Sequence, residues 1–140
     1  DNGTNFAARL DVSAPSGGGD FTVGIASDES TADATWATDL SFNTVYRAVV
    51  GYNQSTNQAQ LWIDASLETD TSILGEDRAD PGDTITQFAL RQSDSSENET
   101  VRVDNLVIGT SFADVVNPVP EPTTTLLGAC ALGVLLRRRR

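Results

Sequence analysis

Over residues 1 to 116, apolar residues recur at every second position in short runs, and clusters of Gly, Asn, Asp, Ser and Thr cut the runs apart. A strand turns successive side chains to opposite faces, whereas a helix needs a 3.6-residue repeat that no long stretch of this segment shows. The pattern predicts an all-β body of six strands. Phe6, Ala8, Leu10 and Val12 share one face of the first, with Arg9, Asp11 and Ser13 on the other. Phe21, Val23 and Ile25 repeat the alternation after Pro15 and Gly17 to Gly19, which predicts a hairpin with a loose loop. Tyr46, Ala48, Val50 and Tyr52 face Ala59, Leu61 and Ile63 across a short polar link, the clearest antiparallel pair in the chain. Residues 66 to 84, with Pro81-Gly82, read as a long surface loop. Phe88 and Leu90 mark a fifth strand and Val101 to Ile108 a sixth. In the sixth, apolar residues change from odd to even positions; either a β-bulge near Asp104-Asn105 or cover on both faces would accommodate the change.

Charge and residue usage narrow the chemistry. Nineteen acidic residues against five Arg leave residues 1 to 116 at −14, while Glu121 against four Arg leaves residues 117 to 140 at +3. An acidic body repels phosphate, so nucleic acid is excluded as a partner. The chain has no His, which removes Ser-His-Asp and Cys-His nucleophile pairs and the commonest zinc ligand. Cys130 is alone among apolar neighbours, so no internal disulfide forms and the fold relies on apolar burial. There is no Met, so Asp1 is expected to follow a processing or fragmentation point rather than a translation start.

Beyond Val116 the composition shifts. Residues 117 to 122 hold Pro118, Pro120 and Pro122 and read as an extended linker, because proline sustains neither helix nor inner strand. The segment 123 to 140 begins with an uncharged run, Thr123 to Leu136, carrying Leu126, Leu127, Leu132, Leu135 and Leu136, and closes on Arg137, Arg138, Arg139 and Arg140. A helix of those fourteen residues would span about 21 Å, short of the ~30 Å hydrocarbon core, so it suits a transient membrane stop better than a permanent span.

This order, Val119-Pro120-Glu121-Pro122, a short apolar helix and terminal arginines, resembles the PEP-CTERM sorting signal of exported bacterial proteins. The resemblance implies export, an inner-membrane intermediate, recognition by an exosortase-type membrane transpeptidase, and final residence at the cell surface or in the extracellular matrix. Arginines kept in the cytoplasm would place the acidic body outside, in agreement with the positive-inside rule. Asn2-Gly3-Thr4, Asn53-Gln54-Ser55 and Asn98-Glu99-Thr100 match the N-glycosylation triplet, but a chain rich in Asn, Ser and Thr produces such matches by composition, and the tail points to bacteria.

Within the body, Ala34-Thr35-Trp36, Leu61-Trp62-Ile63-Asp64, Phe88-Ala89-Leu90-Arg91-Gln92 and the stretch from Val103-Asp104-Asn105-Leu106 to Val115 resemble the closing part of a laminin-G or concanavalin-like jelly roll. The resemblance implies an antiparallel β-sandwich, incomplete at its N-terminal side, with strands before Asp1. Fold alone does not give function. On the strand Gln58 to Asp64, Gln60, Trp62 and Asp64 share the face opposite Ala59, Leu61 and Ile63. They form a candidate glycan contact, with Trp62 as stacking ring, unless Trp62 covers a second core or an adjoining loop. Trp36 reads as a loop anchor.

No cofactor is called for. Weak calcium binding is the one option the acidic loops support, at Asp28, Glu29 and Asp33 or at Glu76, Asp77, Asp80 and Asp83; solvated loop carboxylates explain the same residues, and no metal ligand set is assigned. Glu68-Thr69-Asp70 begins a glycosidase-like carboxylate pattern, but Ile73 stands where the second Glu belongs, so the chain is not expected to be an enzyme. The expected function is a noncatalytic surface or matrix protein contacting extracellular polysaccharide. The alternatives are a purely structural envelope module or a fragment of a polysaccharide-acting enzyme.

Overall fold

A computed structural model describes residues 6–76, 84–91 and 100–117. The chain divides into two units, Asp1–Leu106 and Val107–Arg140. The described residues are mostly β, with two small antiparallel sheets and almost no helix. β1 (Arg9–Ser13), β2 (Thr22–Ala26) and β3 (Ala34–Thr35) form one sheet in that order. β4 (Ala48–Asn53), β5 (Gln58–Ile63) and β6 (Ser72–Leu74) form the other.

Both expected hairpins are present. β4 and β5 pair from Ala48 opposite Ile63 to Asn53 opposite Gln58, and Asn57 closes the turn in the left-handed region, at φ 52°. Asn tolerates that conformation better than most residues. The Tyr52 hydroxyl donates to Asn57 Oδ1 at 2.5 Å across the same turn. β1 and β2 pair from Arg9 opposite Ala26 to Ser13 opposite Thr22.

One core draws on both sheets: Val23 and Ile25 from β2, Ala59 and Leu61 from β5, and Leu40 from the loop between β3 and β4. Trp36 packs at its margin, and its backbone N–H donates to Val23 O at 2.8 Å, as expected of a loop anchor.

The structure departs from the sequence pattern in three places. Leu10 and Val12 stand opposite Ile25 and Val23 and share their face, yet they are 37% and 53% exposed. Among the described residues β1 is an edge strand, and the other sheet packs against β2 rather than β1. The polar face of β1 is instead half buried, because Arg9 grips both Asp11 oxygens at 2.7 and 2.8 Å and donates to Glu29 O at 2.7 Å. Second, residues 84–91 and 101–108 contain no strand; Phe88, Leu90, Val101, Val103, Leu106 and Ile108 are exposed. Alternation makes a segment competent for a strand, but a ladder partner makes it one. At Asn105, where the alternation changes phase, the backbone enters the left-handed region with φ 53°. Third, the stretch read as surface loop supplies β6, which pairs with β5 through Leu61 and Ile73.

In the second unit, Ser111 caps a five-residue helix, α1 (Phe112–Val116), through a capping box. The Asp114 carboxylate accepts from the Ser111 N–H at 3.0 Å, and Ser111 Oγ accepts from Asp114 N at 3.3 Å. The Ser-x-x-Asp spacing carries this helix start, which the strand reading passed over. The residues expected to form the proline linker beyond Asn117, and the apolar helix, lie outside the described residues.

Candidate functional site

The loop after β1 and the loop after β3 meet around one carboxylate. Pro15 ends the strand, and the glycines that follow let the backbone close on Asp39. Asp39 Oδ1 accepts from Ser16 N at 2.9 Å and Ser16 Oγ at 3.0 Å. Oδ2 accepts from Gly17 N at 2.6 Å and Gly19 N at 3.3 Å. A Cβ on Gly19 would stand 2.3 Å from Asp39 Cβ and 3.0 Å from Leu40 O, so only glycine fits there.

These donors hold Asp39 below the usual carboxylate range, the Ser16 N–H first, against a desolvation cost that acts the other way. A depressed native pKa contributes stability that is fully present above the unfolded value, about 3.9, and is lost as pH falls through the folded value. Acidification through that lowered value is therefore expected to free the Ser16–Gly19 loop. The protection of the Gly17 and Gly19 amides, taken against the unstructured exchange rate at the same pH, should fall there, and Asp39→Asn should show the lower protection already at neutral pH. Unchanged protection in the variant would remove Asp39 as the clamp.

Beside this clamp lies an open depression of about 410 Å³ lined by Ser16, Gly17, Gly18, Gly19, Ala37, Thr38, Asp39 and Ser41. Its next neighbour in the chain is Phe42, which is 60% exposed. The Phe42 ring stacks on Phe21 at 5.8 Å and 16°, and Tyr46 meets Phe21 edge-on at 6.3 Å. Backbone bonds fix the loop: Phe42 N donates to Asp20 Oδ2 at 2.7 Å and Ser41 N to the Tyr46 hydroxyl at 3.0 Å. A largely exposed ring stacked on Phe21 and one residue along the chain from a depression lined by hydroxyls and a carboxylate has the chemistry to stack on a sugar face.

The sequence-predicted glycan contact is arranged differently. Trp62 is only 4% exposed. Its ring lies against Gly51, where a Cβ would come within 3.1 Å, and its indole N–H donates to Glu68 O at 3.1 Å. Of the two roles open to it, Trp62 takes the cover of an adjoining loop, and no ring face is left for a sugar. Gln60 Nε2 donates to Ser72 Oγ at 2.8 Å, and Asp64 Oδ1 accepts from Arg47 N at 2.8 Å. These three side chains thus serve the sheet and its turns. Ser16, Asp39 and Phe42 are not legible as a site in the sequence because Ser16 and Asp39 stand 23 positions apart, and only the fold brings their loops together.

The acidic residues considered for calcium are also placed. Asp33 Oδ2 accepts from Ser27 N at 2.7 Å and Glu76 N at 3.2 Å, a structural role. Asp28 Oδ1 is buried without a hydrogen-bond partner. Among the described residues no group of three or more acidic, His or Cys side chains is placed to hold a metal. Asp77, Asp80 and Asp83 lie outside them. Asp70 Oδ2 accepts from Ser66 N and Leu67 N at 2.8 and 2.9 Å, so the Glu68–Asp70 stretch is a turn rather than a cleft-facing strand.

Val119, Pro120, Glu121 and Pro122, the apolar residues from Thr123 to Leu136 and Arg137–Arg140 lie outside the described residues. Among the described residues no helix is long and apolar enough to cross a membrane. Compared with known proteins, the chain matches no family model, no curated protein and no solved structure.

Proposed function

We propose that this is a noncatalytic protein of the bacterial cell surface or extracellular matrix, exported under a PEP-CTERM-type signal, whose body contacts extracellular polysaccharide. The observation that carries the reading is the order of elements at the C-terminus: Pro120-Glu121-Pro122, an uncharged apolar run, then Arg137–Arg140. The arginines stay in the cytoplasm while the acidic body crosses, and the apolar run halts transfer. A membrane transpeptidase of the exosortase type then acts at the Pro-Glu-Pro motif. The two antiparallel sheets that share a core are compatible with part of a jelly-roll sandwich.

Within this reading the sugar contact moves from Trp62 to the depression beside Asp39, whose lining residue Ser41 is followed in the chain by Phe42, a ring stacked on Phe21 and still largely exposed. Cells carrying the intact gene are expected to hold the product outside the inner membrane and shortened at its C-terminus, whereas Glu121→Ala should leave it uncut in that membrane. A full-length product soluble in the cytosol would refute the export. On a polysaccharide array the purified exported protein should bind, and Phe42→Ala should lower binding about tenfold, the equivalent of one stacking contact of roughly 1.4 kcal/mol. If the wild type captures no sugar, the body is a structural envelope module.

A further inference from the structure

The structure separates one Asn-x-Ser/Thr triplet from mere composition. Asn53, Gln54 and Ser55 are all exposed, at the end of β4 and the start of the turn into β5. Asn53 Oδ1 accepts from Ser55 N at 2.9 Å and from Ser55 Oγ at 2.7 Å. Both bonds fall on the carbonyl oxygen of the side-chain amide. They hold the amide in one orientation, and its Nδ2 has no hydrogen-bond partner among the described residues.

The neighbouring Asn57 shows the contrast. It is buried, its Oδ1 is taken by Tyr52, and Gln58-Ala59 follows it, so it offers neither access nor the hydroxyl residue. Asn43 and Asn105 are exposed but lack Ser or Thr two positions on. Among the described residues, only Asn53 combines the triplet with an accessible, oriented amide.

The acceptor chemistry follows from that arrangement. Two hydrogen bonds to Oδ1 draw electron density toward oxygen and make the Nδ2 protons easier to remove. The hydroxyl two residues on is the group that an Asn-x-Ser/Thr acceptor requires. Gln54 and Ser55, the next two residues of the hairpin tip, are exposed as well, so the amide is open to a transferring enzyme.

We propose that Asn53 is an acceptor for N-linked sugar. Nδ2 attacks the anomeric carbon of a glycosyl diphosphate donor held by a separate transferase. The bond from that carbon to the phosphate oxygen breaks and the N–C bond forms. The diphosphate leaves with the electron pair, and Nδ2 passes one proton to a base of the transferase. The attached sugar would project from the β4–β5 tip.

The test is peptide mapping by mass spectrometry of the full protein recovered from its native host. The peptide bearing Asn53 is expected to carry sugar-residue mass increments, removed by a glycoamidase that leaves Asp at position 53. Asn53→Gln and Ser55→Ala should abolish the increment, and Ser55→Thr should keep it. Circular dichroism on each variant checks that the hairpin still folds; these are exposed turn positions, where substitutions shift stability little. A wild-type Asn53 peptide found at its bare mass would overturn the proposal, as would an increment that survives Ser55→Ala. Because the readout is covalent and local, it stands or falls independently of sugar binding beside Asp39.

Discussion

Gly75→Ala is expected to lower the unfolding free energy by about 3 kcal/mol, the sum of a buried hydrogen bond lost and the strain of one carbon too many. Gly75 sits where the two sheets are fastened. Its N–H donates to Ala59 O at 2.8 Å, and its carbonyl accepts from Gln58 Nε2 at 2.9 Å. Across the junction, fully buried Ser27 offers its Oγ to Ala59 N at 2.8 Å, and Asp33 Oδ2 holds Ser27 N and Glu76 N. A Cβ at position 75 would stand 2.2 Å from Ser27 Oγ and 3.0 Å from Asp33 Oδ2. The serine hydroxyl can escape only by rotating away, and Ala59 N–H then loses its acceptor inside the core. The matched control is Gly18→Ala, where nothing lies within 4 Å of the added carbon. Urea unfolding of the two variants should separate them by midpoint at unchanged slope. Equal midpoints would show that the junction does not hold the sheets together.

The parts of this fold that could be read from sequence are those decided locally. Two runs of nearly equal length around Asn53–Asn57 permit little besides a hairpin, and the structure pairs them as expected. Val23, Ile25, Ala59 and Leu61 were legible as core because they lie on central strands, where the apolar face has a neighbour to cover it. Leu10 and Val12 carry the same alternation and stay exposed, since being on an edge is a property of the assembled sheet. β6 was hidden for the opposite reason: three residues in an Asp-rich stretch show no period, and only pairing with β5 makes them a strand. The candidate site was illegible for a third reason. A glycine run reads as a loop wherever it occurs, and its meaning here depends on Asp39 arriving from another loop to occupy its N–H groups. The helix start at Ser111 differs, because its Ser-x-x-Asp spacing is fully local and could have been found.

Trp62→Ala is expected to cost about 3–5 kcal/mol of stability, the range for removing a large buried aromatic, while leaving sugar capture beside Phe42 untouched in whatever fraction stays folded. Trp62 stands opposite Val49 on β4, and both are buried on the face of the sheet away from Leu61. The stretch after β5 closes over them: Ala65 is buried, and Glu68 O takes the indole proton at 3.1 Å. Removing the ring opens a cavity there and leaves that carbonyl without its donor. Trp62→Phe refills most of the volume and loses the hydrogen bond, so its cost should fall to about 1 kcal/mol plus a small packing defect. A sugar platform would behave the other way. Trp62→Ala would then keep its unfolding midpoint and lose ligand, because an exposed stacking ring contributes to binding and little to folding. Measuring midpoint and array binding on the same Trp62→Ala and Phe42→Ala preparations sets the two roles against each other. Trp62 should move only the first quantity and Phe42 only the second, and a reversal would return the contact to the β5 face and take it away from Asp39.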